Sequence, residues 1–140
     1  MTIGLFVILS LFSSPNDFDF CTCSESKEIT QEDIEDYDLI LHGIVQKIET
    51  VEHQKLITLN IKTLYKGNLE NNIVTISTPA DLAMCGLNIG TGTEWLLFAF
   101  DENGEYSTNS CTRSGDLDSY IDWIKDRVEK DIVFLENLKK

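Results

Sequence analysis

The chain has 140 residues, of which 42% are hydrophobic and 25% charged, enough for one domain with a modest core and too apolar for disorder over most of its length. With 11 Lys and Arg against 24 Asp and Glu, the formal charge is -13. A polyanion gains nothing by approaching another, which argues against nucleic acid and anionic membrane surfaces as partners.

Gly4 to Phe12 reads GLFVILSLF and runs into Ser13, Ser14 and Pro15. A bilayer span takes about 20 apolar residues, so no transmembrane helix is expected here. The run has the length of the apolar core of an export signal. Residues 1–20 are therefore expected to be a signal or export segment. Residues 21–140 are then the exported domain, extracellular or periplasmic. No Lys or Arg precedes the apolar run, and Phe20 is a poor residue on which to end a cleaved leader.

Four cysteines follow: Cys21, Cys23, Cys85 and Cys111. An even number in a small exported chain reads as two disulfides. Structural zinc wants ligands at short spacing, and Cys85 and Cys111 stand far along the chain from the first two. Cys21 and Cys23 are too close to bond each other without strain. Two long-range pairings remain open.

Thr30 to Asp36 reads TQEDIED, in which Thr30 can cap a short helix with Asp33 answering three residues on. Asp38 to Glu49 is apolar and β-branched, with Gly43 marking a bulge or bend. Leu56 to Tyr65 alternates, Ile57, Leu59 and Ile61 on one face and Thr58, Asn60 and Lys62 on the other. Lys66-Gly67-Asn68 is a turn. Asn72 to Thr78 predicts a third strand, stopped by Pro79. Trp95 to Phe100, WLLFAF, predicts a strand covered on both faces. Glu105 to Ser110 predicts a fifth. Gly90-Thr91-Gly92-Thr93 has neither the lysine nor the following helix of a phosphate loop, and no cofactor is expected. The period then changes to helical: Leu117, Tyr120, Ile121, Ile124, Val128, Ile132 and Leu135 predict a helix over 116–139, capped by Ser114 or Asp116. Five strands, one glycine bend and two helices predict a mainly β fold. It is expected to be a five-stranded Greek-key barrel of the OB type, with a short N-terminal helix and a C-terminal helix.

Taken in order, Cys21-Thr22-Cys23, the strand YDLILHGIV, ITLNIKTLYKG, ISTPADLAMCG, EWLLFAF and the strand ending at Cys111 resemble the netrin-like module of the tissue inhibitors of metalloproteinases. The resemblance spans Cys21 to Arg113. It implies disulfides Cys21–Cys85 and Cys23–Cys111, closing loops of 64 and 88 residues. Each closure is worth about 4 kcal/mol in the chain-entropy model, a large share of a total stability of roughly 5–15 kcal/mol. The family's third disulfide in this domain has no counterpart here. A helical segment stands where the family carries a second disulfide-bonded domain.

The resemblance also implies a function, with a zinc metalloproteinase as the partner. A free N-terminal Cys21 would present its α-amine and its own carbonyl oxygen to that partner's zinc. Thr22 would enter the pocket beside the metal, with Cys23, Ser24, Ala83, Met84 and Cys85 completing the contact. Chelation needs Cys21 as the first residue, because an acylated amine is a poor ligand and Pro15 to Phe20 would block the cleft. Without that processing the expectation is an extracellular protein-binding module. No enzyme is expected: His42 and His53 have no motif partners, and the carboxylates show no spacing that marks a site.

Overall fold

A computed structural model describes residues 21–25 and 27–140; the expected export segment lies outside the described residues. The elements in chain order are helix α1 (Gln31–Asp36), strands β1 (Leu39–Val51), β2 (Gln54–Lys66) and β3 (Ile73–Pro79), a 3-10 turn (Leu82–Met84), strands β4 (Glu94–Glu102), β5 (Glu105–Ser107) and β6 (Gly115–Asp116), and helix α2 (Asp122–Leu138). The sheet runs β1-β2-β3-β5-β4, and β1 pairs again with β4 to close it. All neighbours are antiparallel except β3 and β5. The fold is thus a closed five-stranded barrel of the OB type carrying two helices.

Closure depends on β1 serving two partners. Leu39 to Ile44 pair with Ala99 to Glu94 on one side, while the whole strand pairs with β2 on the other. To reach both, the ladder shifts register three times, leaving Tyr65 and Lys62 of β2 and Gln46 of β1 as extra residues. Such bulges bend and twist a sheet. Gly43 sits at one shift, where a Cβ would stand 2.7 Å from the carbonyl oxygen of Asn60. Beyond Val45, β1 leaves β4 and runs on as the outer strand of an arm in which β2 pairs with β1 on one side and β3 on the other, with Lys47 and Glu49 paired at 2.5 Å on that outer strand.

Alternation places the core. Leu39, Leu41, Val45, Ile57, Leu59, Val74, Ile76, Trp95, Leu97 and Ala99 fill the barrel. The intervening residues Ile40, Leu96 and Phe98 point outward and are covered by Val128 and Leu135 of α2 and by Ile29 and Ile34. The WLLFAF segment is therefore buried on both faces. α1 carries its full capping box, Thr30 and Asp33 exchanging side-chain and backbone bonds. Lys66 Nζ donates to the Ile34 carbonyl at 2.9 Å, a positive charge at the helix's C-terminal end.

Two boundaries differ from the sequence reading by more than two residues, and Pro79, expected to stop the third strand, is its last paired residue. The C-terminal helix starts at Asp122 rather than 116, and its N-cap residue Ile121 makes no side-chain capping bond, its own N–H donating to Ser119 Oγ at 3.2 Å. Gly115 and Asp116 instead form β6 against Leu96 and Trp95. Neither expected cap is free for the helix: Ser114 Oγ accepts from the Phe98 N–H, and Asp116 Oδ1 accepts from the Asp118 N–H. The fifth strand ends at Ser107 rather than 110, because Thr108 turns its hydroxyl to the Phe98 carbonyl at 2.7 Å.

A buried ion pair fastens α2 to the barrel. Arg113 donates Nε and a terminal nitrogen to the two oxygens of Asp131 at 2.9 and 2.7 Å. Its other terminal nitrogen donates to the Lys27 carbonyl at 2.8 Å. Asp131 is 1% exposed. Burial pushes its carboxyl above the usual carboxylate range, against the pull of the Arg113 hydrogen bonds. Removing one partner strands the other's charge, so Asp131→Ala should lower stability by about 3–5 kcal/mol. In urea unfolding, the double variant Arg113→Met/Asp131→Leu should recover most of that loss.

Candidate functional site

One end of the barrel gathers segments that are distant in sequence. Disulfides join Cys21 to Cys85 and Cys23 to Cys111, with Cα–Cα separations of 5.0 and 5.1 Å. The segment 21–24 is thereby held against the loop after β3 and the loop after β5. Thr22, Cys23 and Ser24 are exposed, as are Ala83 and Met84, while Cys21 and Cys85 are half-buried. Each residue expected at a protease contact thus lies on one stapled tip or beside it.

The loop after β3 is built by local chemistry. Asp81 accepts from the Ala83 N–H through its side chain at 2.9 Å, and its carbonyl accepts from Met84 and Gly86 at 3.0 and 3.1 Å. That turn presents Leu82 and Met84 to solvent, 52% and 63% exposed. Cys85 follows at φ 68°, in the left-handed region. Gly86 then passes so close to the preceding strand that a Cβ would stand 2.1 Å from the Pro79 carbonyl oxygen. Leu87 returns to the core, its N–H bonded to the buried Thr78 hydroxyl at 3.1 Å.

The loop after β5 is fixed to the same point. Ser110 N–H donates to the Cys85 carbonyl at 2.8 Å, and Cys111 N–H donates to the Asn109 side chain at 2.8 Å. The β1–β2 arm leans on it too, the Ala80 N–H donating to the His53 carbonyl at 2.8 Å. Met84 borders two shallow grooves, of about 470 Å³ with Leu56, Pro79 and Asn109, and about 440 Å³ with His53, Ala80 and Asp81. Asp81, Leu82, Asn109 and Ser110 join the tip without having been singled out from sequence. Asp81, at the head of a short turn after a proline, carries the signal that could have found it.

The histidines do not share a site. His53 lies in the hairpin turn. His42 Nε2 is 3.4 Å from Glu94 Oε1, and Lys62 Nζ donates to the same carboxylate. The Lys62 bond, with His42 adding to it, holds the Glu94 carboxyl below its ordinary value, against the opposing effect of burial. These groups lie on neighbouring strands of the barrel wall, and sequence gave no motif linking them. Among the described residues, the only group of three or more metal-ligating side chains close enough to share an ion is Cys21, Cys85 and Cys111. No described helix is long and apolar enough to cross a membrane.

No protein-family model matches the chain, and no curated protein matches it.

Two outcomes check these assignments. Gly86→Ala, which drives a Cβ into the Pro79 carbonyl, should cost about 1–3 kcal/mol in denaturant unfolding. Glu94 has a folded-state pKa below its unfolded value of about 4.5. Its contribution is therefore present above that pH and lost as pH falls through the folded value. Glu94→Gln should make the acid limb of a stability–pH curve shallower below pH 4.5.

Proposed function

We propose that the chain is an exported inhibitor of zinc metalloproteinases, similar to the netrin-like module of the tissue inhibitors, and that it acts through the stapled tip. The observation that carries this reading is the pairing of a disulfide-anchored Cys21-Thr22-Cys23 segment with an exposed Leu82-Ala83-Met84 turn beside it. Two strips held side by side suit a protease cleft, one at the metal and one in the neighbouring subsites.

The chemistry follows from a mature chain that begins at Cys21. The α-amine and the Cys21 carbonyl oxygen together make a five-membered chelate at the protease's zinc. They take the open coordination position where the catalytic water sits. Thr22 enters the pocket next to the metal, and Ser24, Ala83 and Met84 extend the contact along the cleft. Because both cysteines are already fixed, little ordering entropy is lost on binding. Nothing in this role calls for catalysis by the chain itself, nor for a cofactor of its own.

A second reading is an extracellular protein-binding module without inhibition. Tyr120, Trp123 and Val133, 93%, 63% and 60% exposed on α2 and the turn before it, favour it. Exposed aromatic side chains of this kind anchor protein interfaces.

The test titrates the chain starting at Cys21 against a panel of zinc proteases, beside a version with one extra N-terminal alanine. Inhibition by the first and its loss by at least about 100-fold in the second, roughly 2.7 kcal/mol, is the expected result. Equal potency of the two would remove the chelation mechanism, and no inhibition by either would leave the binding module.

A further inference from the structure

The two disulfides bring all four cysteine sulfurs into one cluster, because Cys21 and Cys23 stand two residues apart. Beyond the two bonded pairs, Cys21 Sγ lies 3.5 Å from Cys111 Sγ and 4.0 Å from Cys23 Sγ, and Cys85 Sγ lies 4.0 Å from Cys111 Sγ. Four thiolates around a tetrahedral zinc, with Zn–S near 2.3 Å, stand roughly 3.8 Å from one another. Three of the four non-bonded separations already bracket that value; Cys23 stands outside the group of Cys21, Cys85 and Cys111 whose sulfurs are mutually close enough to share an ion as they stand. The two bonded pairs would have to part from about 2.05 Å to about 3.8 Å. Shared between two sulfurs, that is about 1 Å of side-chain movement each, on backbones already 5.0 and 5.1 Å apart at Cα.

We propose that the reduced chain holds one zinc ion through Cys21, Cys23, Cys85 and Cys111, so that the tip has a metal-stapled form as well as a disulfide-stapled one. Reduction consumes two equivalents of a dithiol, or of a phosphine that takes up water oxygen to become its oxide. Each disulfide accepts two electrons and two protons to give two thiols, while each dithiol becomes a disulfide or each phosphine its oxide. Zinc binding then releases the four thiol protons and forms four Zn–S bonds, with a net charge of -2 on the centre. The surroundings answer that charge in part. Ser110 Oγ stands 3.3 Å from Cys21 Sγ, a hydroxyl able to donate to a thiolate. Lys27 and Arg113 line the cleft that also contains Cys23 and Cys111, together with the carboxylates of Glu25 and Asp33, so the hydroxyl is the clearer support for a thiolate. This centre is separate from the proposed inhibition, which uses the oxidised tip and the partner's own zinc.

The experiment uses the full mature chain, reduced with a phosphine under argon and titrated with Co²⁺ and then Zn²⁺. One Co²⁺ per chain is expected, with the intense visible bands of a tetrahedral site and thiolate-to-metal charge transfer in the near ultraviolet, displaced by one Zn²⁺. Cys23→Ser and Cys111→Ser should each weaken binding by at least 10-fold. If the reduced chain loses its fold, zinc should restore the far-ultraviolet dichroism of the oxidised protein. An octahedral cobalt spectrum would overturn the proposal, as would four freely titrating thiols in the presence of zinc. So would the same affinity in concentrated urea, or a reduced chain that zinc does not refold.

Discussion

Arg113 is the point where the pieces of this molecule are tied together. Its side chain reaches Asp131 on α2 and the Lys27 carbonyl on the N-terminal segment, and its own N–H meets the Tyr37 hydroxyl. It lies two residues after Cys111, so the stapled tip and the helix-covered wall share one anchor. A guanidinium can do this because its donors fan out in a plane and stay charged when buried. The arrangement is costly to desolvate and costlier to break, which makes it a strong constraint on geometry even where its net contribution to stability is small.

From that anchor the barrel and the tip divide the work. The barrel supplies rigidity through two cores that share a wall: β4 sends Trp95, Leu97 and Ala99 inward and Leu96 and Phe98 outward. The tip is short of apolar cover, with Leu82 and Met84 exposed, and depends on covalent bonds instead. Small disulfide-bonded domains commonly make this exchange of buried area for covalent bonds. It leaves polar loops free to be shaped by capping residues such as Asp81 and Asn109.

The barrel was legible in the sequence because its rule is local. Period-two alternation in Leu56–Tyr65, the unbroken WLLFAF run and the Thr30–Asp33 box each report their structure from within one segment. What escaped was set between segments. Gly115 and Asp116 pair with β4 over two residues, too short to leave a pattern, so Leu117 looked like the start of helical periodicity. Asp131 sits among Glu129, Lys130 and Ile132 and reads as one more solvated charge. Only Arg113, 18 residues earlier, makes it a core residue. The same holds for the tip. Its cysteine pairs were expected, Cys21 with Cys85 and Cys23 with Cys111, but the loop residues gathered around them were not. A proline-led turn could have drawn attention to Asp81, whereas nothing local marks Asn109 or Ser110 as their neighbours.

The β1–β2 arm beyond Val45 leaves one strand edge without a described strand beside it. A bare edge is a template onto which another chain can add a strand, and repeated addition is how soluble sheets seed aggregates. This edge carries its own deterrents. The extra residue Gln46 interrupts the ladder at its root, and Lys47 and Glu49 place charge along it, so an incoming strand would meet a kink and two solvated side chains. The irregularity that lets the barrel close thus also works against strand addition along the arm.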